Sequence, residues 1–148
     1  MRLRDKISQD LTAAMKSQAA ERLSVLRMMK AAIRNKEIDS RQELEDAQAV
    51  QVLVGLIKQR KDSVEQFTKG GRLDLAGKEA REIKVIEEYL PAAVSEEEIG
   101  KVVDEVIRQS GAASVKDMGK VMKECMARFS GRPVDGGKIS EMVKARLS

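Results

Sequence analysis

Lys116, Lys120 and Lys123 recur at steps of four and three residues, and Arg128, Arg132 and Lys138 follow them. Steps of that size put side chains on one face of a helix. Charged amines and guanidiniums so arranged bind oxyanions, phosphates above all, by Coulomb attraction and charge-assisted hydrogen bonds. The charge around them is lopsided. From Lys116 to the end there are eight Lys or Arg against four Asp or Glu, whereas residues 94–115 carry two against five. Two readings are open for such a run, a surface that meets an anionic partner and a solvated helix face, and composition alone favours the second.

Other residues invite chemistry and are better explained by structure. Asp135-Gly136-Gly137-Lys138 opens the last helix, where bare N–H groups can meet a phosphate. Asp135 is nonetheless well placed as the N-cap, and its carboxylate repels an anion. Val134 and Ile139 flank it as a hydrophobic staple. Cys125 shares the apolar face of its helix with Met118, Val121, Met122 and Phe129, which reads as a buried, inert thiol. Glu87 and Glu88 are adjacent, face different ways on a helix and make a poor acid–base pair. Arg27, Lys30, Arg34 and Arg41 form a second basic stripe, with Lys58, Arg60 and Lys61 further on. Structural salt bridges are the expected role for most of it. Arg60 falls in line with Ile57 and Val64, so its stem is expected on apolar surface, with Glu87 or Glu88 as partner.

What is missing narrows the function further. The chain has no histidine, which removes the commonest general base and metal ligand and any Ser-His-Asp or Cys-His arrangement. It has no phosphate-binding Gly-rich loop of the Walker or dinucleotide type. Its three aromatic residues, Phe67, Tyr89 and Phe129, are too few for a base-stacking platform. A formal net charge of +4 permits nucleic-acid binding without requiring it. With 35% charged and 42% hydrophobic residues, the 148-residue chain can build a core. No apolar run is long enough for a bilayer, and the N-terminus lacks the apolar segment of a secretory signal. One cysteine suits a reducing compartment, so a cytoplasmic protein without membrane contact is expected.

The elements that must hold these side chains are helical nearly throughout. Leu3, Ile7, Leu11 and Ala14/Met15 mark a first helix, and Leu23, Leu26, Met29 and Ile33 a second. A third, from Arg41 or Gln42 to about Lys69, uses Val50, Leu53, Ile57, Val64 and Phe67 and ends at Gly70-Gly71. A fourth, Leu73 to Leu90, stops at Pro91. Val94-Ser95-Glu96-Glu97-Glu98-Ile99 then spells a helix start, with Ser95 as cap, Glu98 reaching back and Val94 stapled to Ile99. Ile99, Val102, Val103, Val106 and Ile107 are its buried stripe, Gly111 its stop and Ser114 the N-cap of the next helix. The expected architecture is all-α: a four-helix N-terminal domain, 1–93, and a three-helix C-terminal domain, 94–148.

An ordered set of segments resembles the YqeY-type proteins of the GatB/YqeY group. It comprises Glu21-Arg22-Leu23-Ser24-Val25-Leu26-Arg27-Met28, Lys58-Gln59-Arg60-Lys61-Asp62-Ser63 with Gln66-Phe67, Glu87-Glu88-Tyr89-Leu90-Pro91, and Lys116-Asp117-Met118-Gly119-Lys120-Val121-Met122. The resemblance spans essentially the whole chain. The turn Gly131-Arg132-Pro133-Val134-Asp135-Gly136-Gly137-Lys138 is longer than the Gly-Arg-Ala-Asp-Gly-Lys turn usual in that family. In GatB, a subunit of tRNA-dependent amidotransferases, the similar two-domain unit recognises tRNA, while ATP- and metal-dependent chemistry belongs to another domain. The resemblance therefore implies tRNA, or a tRNA-handling complex such as that amidotransferase, as partner. Lys116, Lys120, Lys123, Arg128, Arg132 and Lys138 become the RNA-facing candidates.

Family labels also carry a carbon–nitrogen ligase activity with glutamine as amide donor, for which this sequence offers no catalytic residues. The expectation is a protein that is not an enzyme on its own, with no cofactor or metal. A helical protein–protein adaptor is the alternative. Gly119 costs its helix about 1 kcal/mol relative to alanine. Close packing against another helix is the first explanation for it, and approach of an RNA backbone the second.

Overall fold

The computed structural model describes all 148 residues. Seven α-helices and one 3-10 turn account for the regular structure, and no strand occurs. The chain divides into two compact units, Met1–Leu90 and Pro91–Ser148.

The first unit holds α1 (Leu3–Ser17), α2 (Ala20–Ser40), α3 (Asp46–Lys69) and α4 (Leu73–Glu87). Apolar residues at helical spacing turn inward on all four. Ile7, Leu26, Met29, Leu53 and Ile86 are almost wholly buried in one core, with Leu44 and Tyr89 closing it. At about 1.5–3 kcal/mol for each large side chain, this burial is the main force holding the bundle. The helix ends differ from expectation in instructive ways. Arg41 takes a left-handed conformation (φ 57°) and caps α2, so the third helix does not begin there. Leu44 is buried in the connection, and Glu45 then starts α3, its N–H donating to Gln48 Oε1 at 3.1 Å. At the far end Gly71, with φ 75°, supplies the left-handed turn, while Gly70 stays at negative φ. The fourth helix ends at Glu87 instead of Leu90. Residues 88–90 tighten into i→i−3 turns that carry Tyr89 into the core, where its hydroxyl donates to Asp10 Oδ2 at 2.5 Å.

Arg60 is buried as its apolar register requires, but its partners are on a different turn of α4 from those expected. Its Nε lies 3.0 Å from Glu82 and 4.0 Å from Glu79, and neither Glu87 nor Glu88 is within ion-pair distance. Glu88 pairs with Arg22 instead, at 2.7 Å.

The second unit holds α5 (Glu96–Ser110), the 3-10 turn (Val115–Asp117), α6 (Met118–Arg128) and α7 (Gly136–Leu147). Ile99, Val103, Val106, Val121, Cys125, Phe129, Ile139 and Val143 form its core. Ser95 caps α5 by accepting from the Glu98 N–H at 3.2 Å, and Gly111 ends it at φ 69°. The Glu98 carboxylate is shared, gripped chiefly by Arg132 and lowered in pKa also by the Ser95 backbone N–H at the start of its own helix. Ser114 precedes only the 3-10 turn. The cap position of α6 falls to Asp117, whose carboxylate accepts from the Ala113 N–H at 3.1 Å. Asp135 caps α7, accepting from the Gly137 N–H at 2.9 Å, and Val134 and Ile139 pack into the same core. No helix is long and apolar enough to cross a membrane.

Candidate nucleic-acid interface

The six cations picked out above separate into two groups of three. Arg128, Arg132 and Lys138 are engaged by carboxylates of their own unit. Arg132 grips Glu98 through both terminal nitrogens, at 2.7 and 3.2 Å. This contact holds the Glu98 carboxyl below, and the Arg132 guanidinium above, its ordinary pKa. Arg128 lies 3.2 Å from Glu105 and 3.7 Å from Glu124, and donates to Gln109 Oε1 at 2.6 Å. Lys138 pairs with Glu96. These three tie α6, the 131–135 turn and α7 to the acidic face of α5.

Lys116, Lys120 and Lys123 have no carboxylate partner and are exposed. Lys116 rides on the 3-10 turn. On α6, Lys120 and Lys123 lie on the side away from the buried Val121–Cys125 stripe. The first turn of α6 carries no carboxylate, so the positive end of its dipole adds to these amines. Asp117, at the cap, and Glu124, one turn after Lys120, offset them in part. Lys120 and Lys123 also border an open groove of about 450 Å³ between α5 and α6, lined further by Val106, Gln109, Ser110, Glu124 and Ala127.

Gly119 corrects one expectation. A Cβ built there meets nothing within 4 Å, so helix packing does not account for it. It is a bare, exposed backbone position beside Lys120. Cys125 is fully buried, and burial pushes its thiol pKa up, as expected of a core residue. No group of three or more Cys, Asp or Glu side chains is arranged to hold a metal ion.

The second basic stripe also departs from expectation. Arg27, Lys30, Arg34 and Arg41 on or capping α2, and Lys58 and Lys61 on α3, are exposed and form no salt bridge. Of the basic residues named with that stripe, Arg60 alone is paired. Sequence periodicity places Arg27, Lys30 and Arg34 on one exposed face of α2. It carries no signal for which carboxylates the tertiary fold brings near.

An all-helical chain of two small units, with an exposed cationic helix face in each, matches the YqeY-like protein family model over residues 4–147. The chain belongs to that family. Among similar proteins is the "altered inheritance of mitochondria protein 41, mitochondrial" of Kluyveromyces lactis, 43% identical over 101 residues, which are 66% of this chain and 55% of that protein. The protein of the same name from Lachancea thermotolerans is 30% identical over 148 residues, 95% of this chain and 76% of the relative. An uncharacterised protein of Schizosaccharomyces pombe is 35% identical over 89 residues, 60% of this chain and 72% of its own. The chain spans between about half and two thirds of the first relatives it matches, 55% and 64% of their lengths.

Proposed function

We propose that this chain is a non-catalytic binding protein for structured RNA of the tRNA class, acting through Lys116, Lys120 and Lys123 by charge and shape. The observation that carries this reading is the unpaired, exposed state of those three lysines. Every other lysine or arginine from Arg128 to Arg146 except Lys144 is held by a carboxylate of its own unit. A folded RNA presents phosphates and 2′-hydroxyls that a protein reads largely by shape, without the aromatic platform this chain lacks. The bare Gly119 backbone beside Lys120 lets a sugar–phosphate strand come close. Arg128, Arg132 and Lys138 act in this reading as braces that hold the lysine-bearing helix.

The likeness to the GatB tail makes a tRNA-dependent amidotransferase the protein partner of first choice, in a cytoplasmic setting. The relatives' names assign those proteins to mitochondria. Glutamine-dependent ligation is not part of the proposal, since the one thiol is buried and held protonated. An adaptor role has less support. The large exposed apolar residues, Met1, Met15, Ile38, Leu73 and Val115, lie on separate segments.

The test is a gel-shift titration of the full chain with total tRNA over a range of salt, beside Lys116→Gln/Lys120→Gln/Lys123→Gln. Binding that falls with salt, and weakens in the triple variant by roughly eightfold per lost phosphate contact at 0.1 M salt, supports the reading. No binding at low salt, or binding no better than to random duplex DNA, sinks it.

A further inference from the structure

In the first unit, α1 and α2 frame an open groove of about 290 Å³ lined by Arg4, Ser8, Lys30, Ile33, Arg34 and Glu37. Lys30 and Arg34 stand one helical turn apart on its rim, with Arg27 and Arg41 continuing the line on either side. At 1.5 Å per residue the four cations span about 20 Å along α2. The acidic residue on this line is Glu37, and the fold takes it out of play. Arg4 donates to its carboxylate at 2.7 and 3.2 Å, the Leu44 N–H donates at 2.8 Å, and the side chain is only 14% exposed.

The contrast within the unit gives this arrangement its meaning. Arg4, Arg22, Arg60 and Arg81 all reach carboxylates, whereas the four on the α2 line reach none. Like charges at i,i+3 and i,i+4 repel, so the line Arg27–Lys30–Arg34 weakens α2 in the free chain. A polyanion laid along it relieves that repulsion. The Ser8 hydroxyl and the two flanking cations provide donors for one phosphate in the groove, and Arg27 and Arg41 meet its neighbours on the strand.

We infer that the α1–α2 groove is a second contact surface for a nucleic-acid phosphodiester strand, with Lys30 and Arg34 at its centre. It rests on the reading of the chain as a nucleic-acid binder, but on different residues in a different unit. An anionic membrane is the competing partner for such a line. It is disfavoured because a single large exposed apolar side chain, Ile38, lies on the line, between Arg34 and Arg41, which is too little apolar surface for an interfacial membrane helix.

The experiment compares three forms of the full chain for tRNA affinity as a function of salt: wild type, Lys30→Gln/Arg34→Gln, and Lys120→Gln/Lys123→Gln. The α2 variant is expected to lose roughly eightfold in affinity per contact at 0.1 M salt and to show a shallower salt slope by about one to two. Its melting temperature should be unchanged or higher, since only repulsion is removed; Arg27→Gln/Arg41→Gln serves as the second variant if the first is not folded.

Wild-type affinity and slope in the α2 variants, with a loss in the α6 variant, overturn this inference and leave the proposed function standing. A loss in the α2 variants alone upholds the inference and removes the α6 lysines from the site. Binding to vesicles rich in anionic lipid that depends on Lys30 and Arg34, without tRNA binding, overturns it in favour of a membrane. Absence of any nucleic-acid binding by the wild type overturns it together with the proposed function.

Discussion

Breaking the Arg60–Glu82 pair should cost far more than breaking any ion pair on the surface. Arg60 is 8% exposed, and its Nε donates to Glu82 at 3.0 Å. Its Nη1 donates to the Leu56 carbonyl at 3.0 Å, and Nη2 sits against Met28 Sδ. Methionine at 60 keeps much of the apolar stem, so Arg60→Met removes chiefly the charge and its hydrogen bonds. It leaves Glu82, 13% exposed at its side chain, without its main partner. Removing one member of a buried pair typically costs about 3–5 kcal/mol, because the other charge stays uncompensated. The carboxylate here retains some water, which puts the expectation near the lower end, about 3 kcal/mol.

Replacing both members should restore most of that loss. In Arg60→Met/Glu82→Gln the more buried carboxylate is gone and only Glu79, 23% exposed and 4.0 Å from Arg60, loses a cation, and apolar or neutral replacement of a buried pair is often close to neutral. Urea denaturation of the four proteins of the cycle, followed by helical circular dichroism, gives the coupling energy. A coupling of about 2 kcal/mol or more is expected. A loss below about 1 kcal/mol in Arg60→Met alone, the range of exposed pairs, would refute the assignment of Arg60 as a buried ion.

Three further outcomes rest on the same packing. Gly55 lies in the middle of α3, and a Cβ built there meets nothing within 4 Å, so Gly55→Ala should stabilise the first unit by about 0.5–1 kcal/mol in the same urea assay. Tyr89, the one tyrosine, has its phenol pushed up to about 12 by burial first and by the hydrogen bond to Asp10 second. The unfolded chain then ionises first, near pH 10, and stability contributed by the neutral phenol is lost as pH rises from about 10 to 12. Phenolate absorbance should appear late in the folded protein and earlier in Asp10→Asn; titration near pH 10 in the wild type contradicts the burial argument. Cys125 should resist alkylation in the folded chain and label only as the second unit opens; fast labelling under native conditions would show the thiol accessible.

Helix count and most of the core were legible because they follow from spacing that any single chain displays. Ile7, Leu26, Leu53, Val103, Val121 and Ile139 sit where the apolar period puts them. Caps that use neighbours in sequence were legible too, as with Ser95 and Asp135. The failures share a physical origin in interactions between residues far apart in the chain. Sequence spacing gives Glu98 only its own helix start as partner, whereas Arg132, 34 residues away, takes the larger share of its carboxylate. The apolar period alone extends the third helix to Arg41, and nothing local shows that Glu37 receives the Leu44 N–H and draws the chain into a turn. Leu90 keeps the apolar period and so predicts helix through residues 88–90, yet the backbone tightens there where Tyr89 is buried.

Charge shows the same limit most sharply. Counting lysines and arginines marks the end of the chain as basic, but the field a ligand meets depends on which cations the fold leaves unneutralised. In the second unit α5 supplies Glu96, Glu98, Asp104 and Glu105, and four of the basic residues spend their charge on them. In the first unit the reverse occurs: Glu37, the carboxylate that shares the face of the Arg27–Arg41 line, is occupied by Arg4. A segment with a two-to-one basic excess thus offers three free lysines close together, and a helix that looked amply salt-bridged offers four free cations in a row. A partner's affinity should therefore respond to Lys30 and Arg34 as strongly as to Lys120 and Lys123, and only weakly to neutralisation of Arg132, whose charge Glu98 already balances.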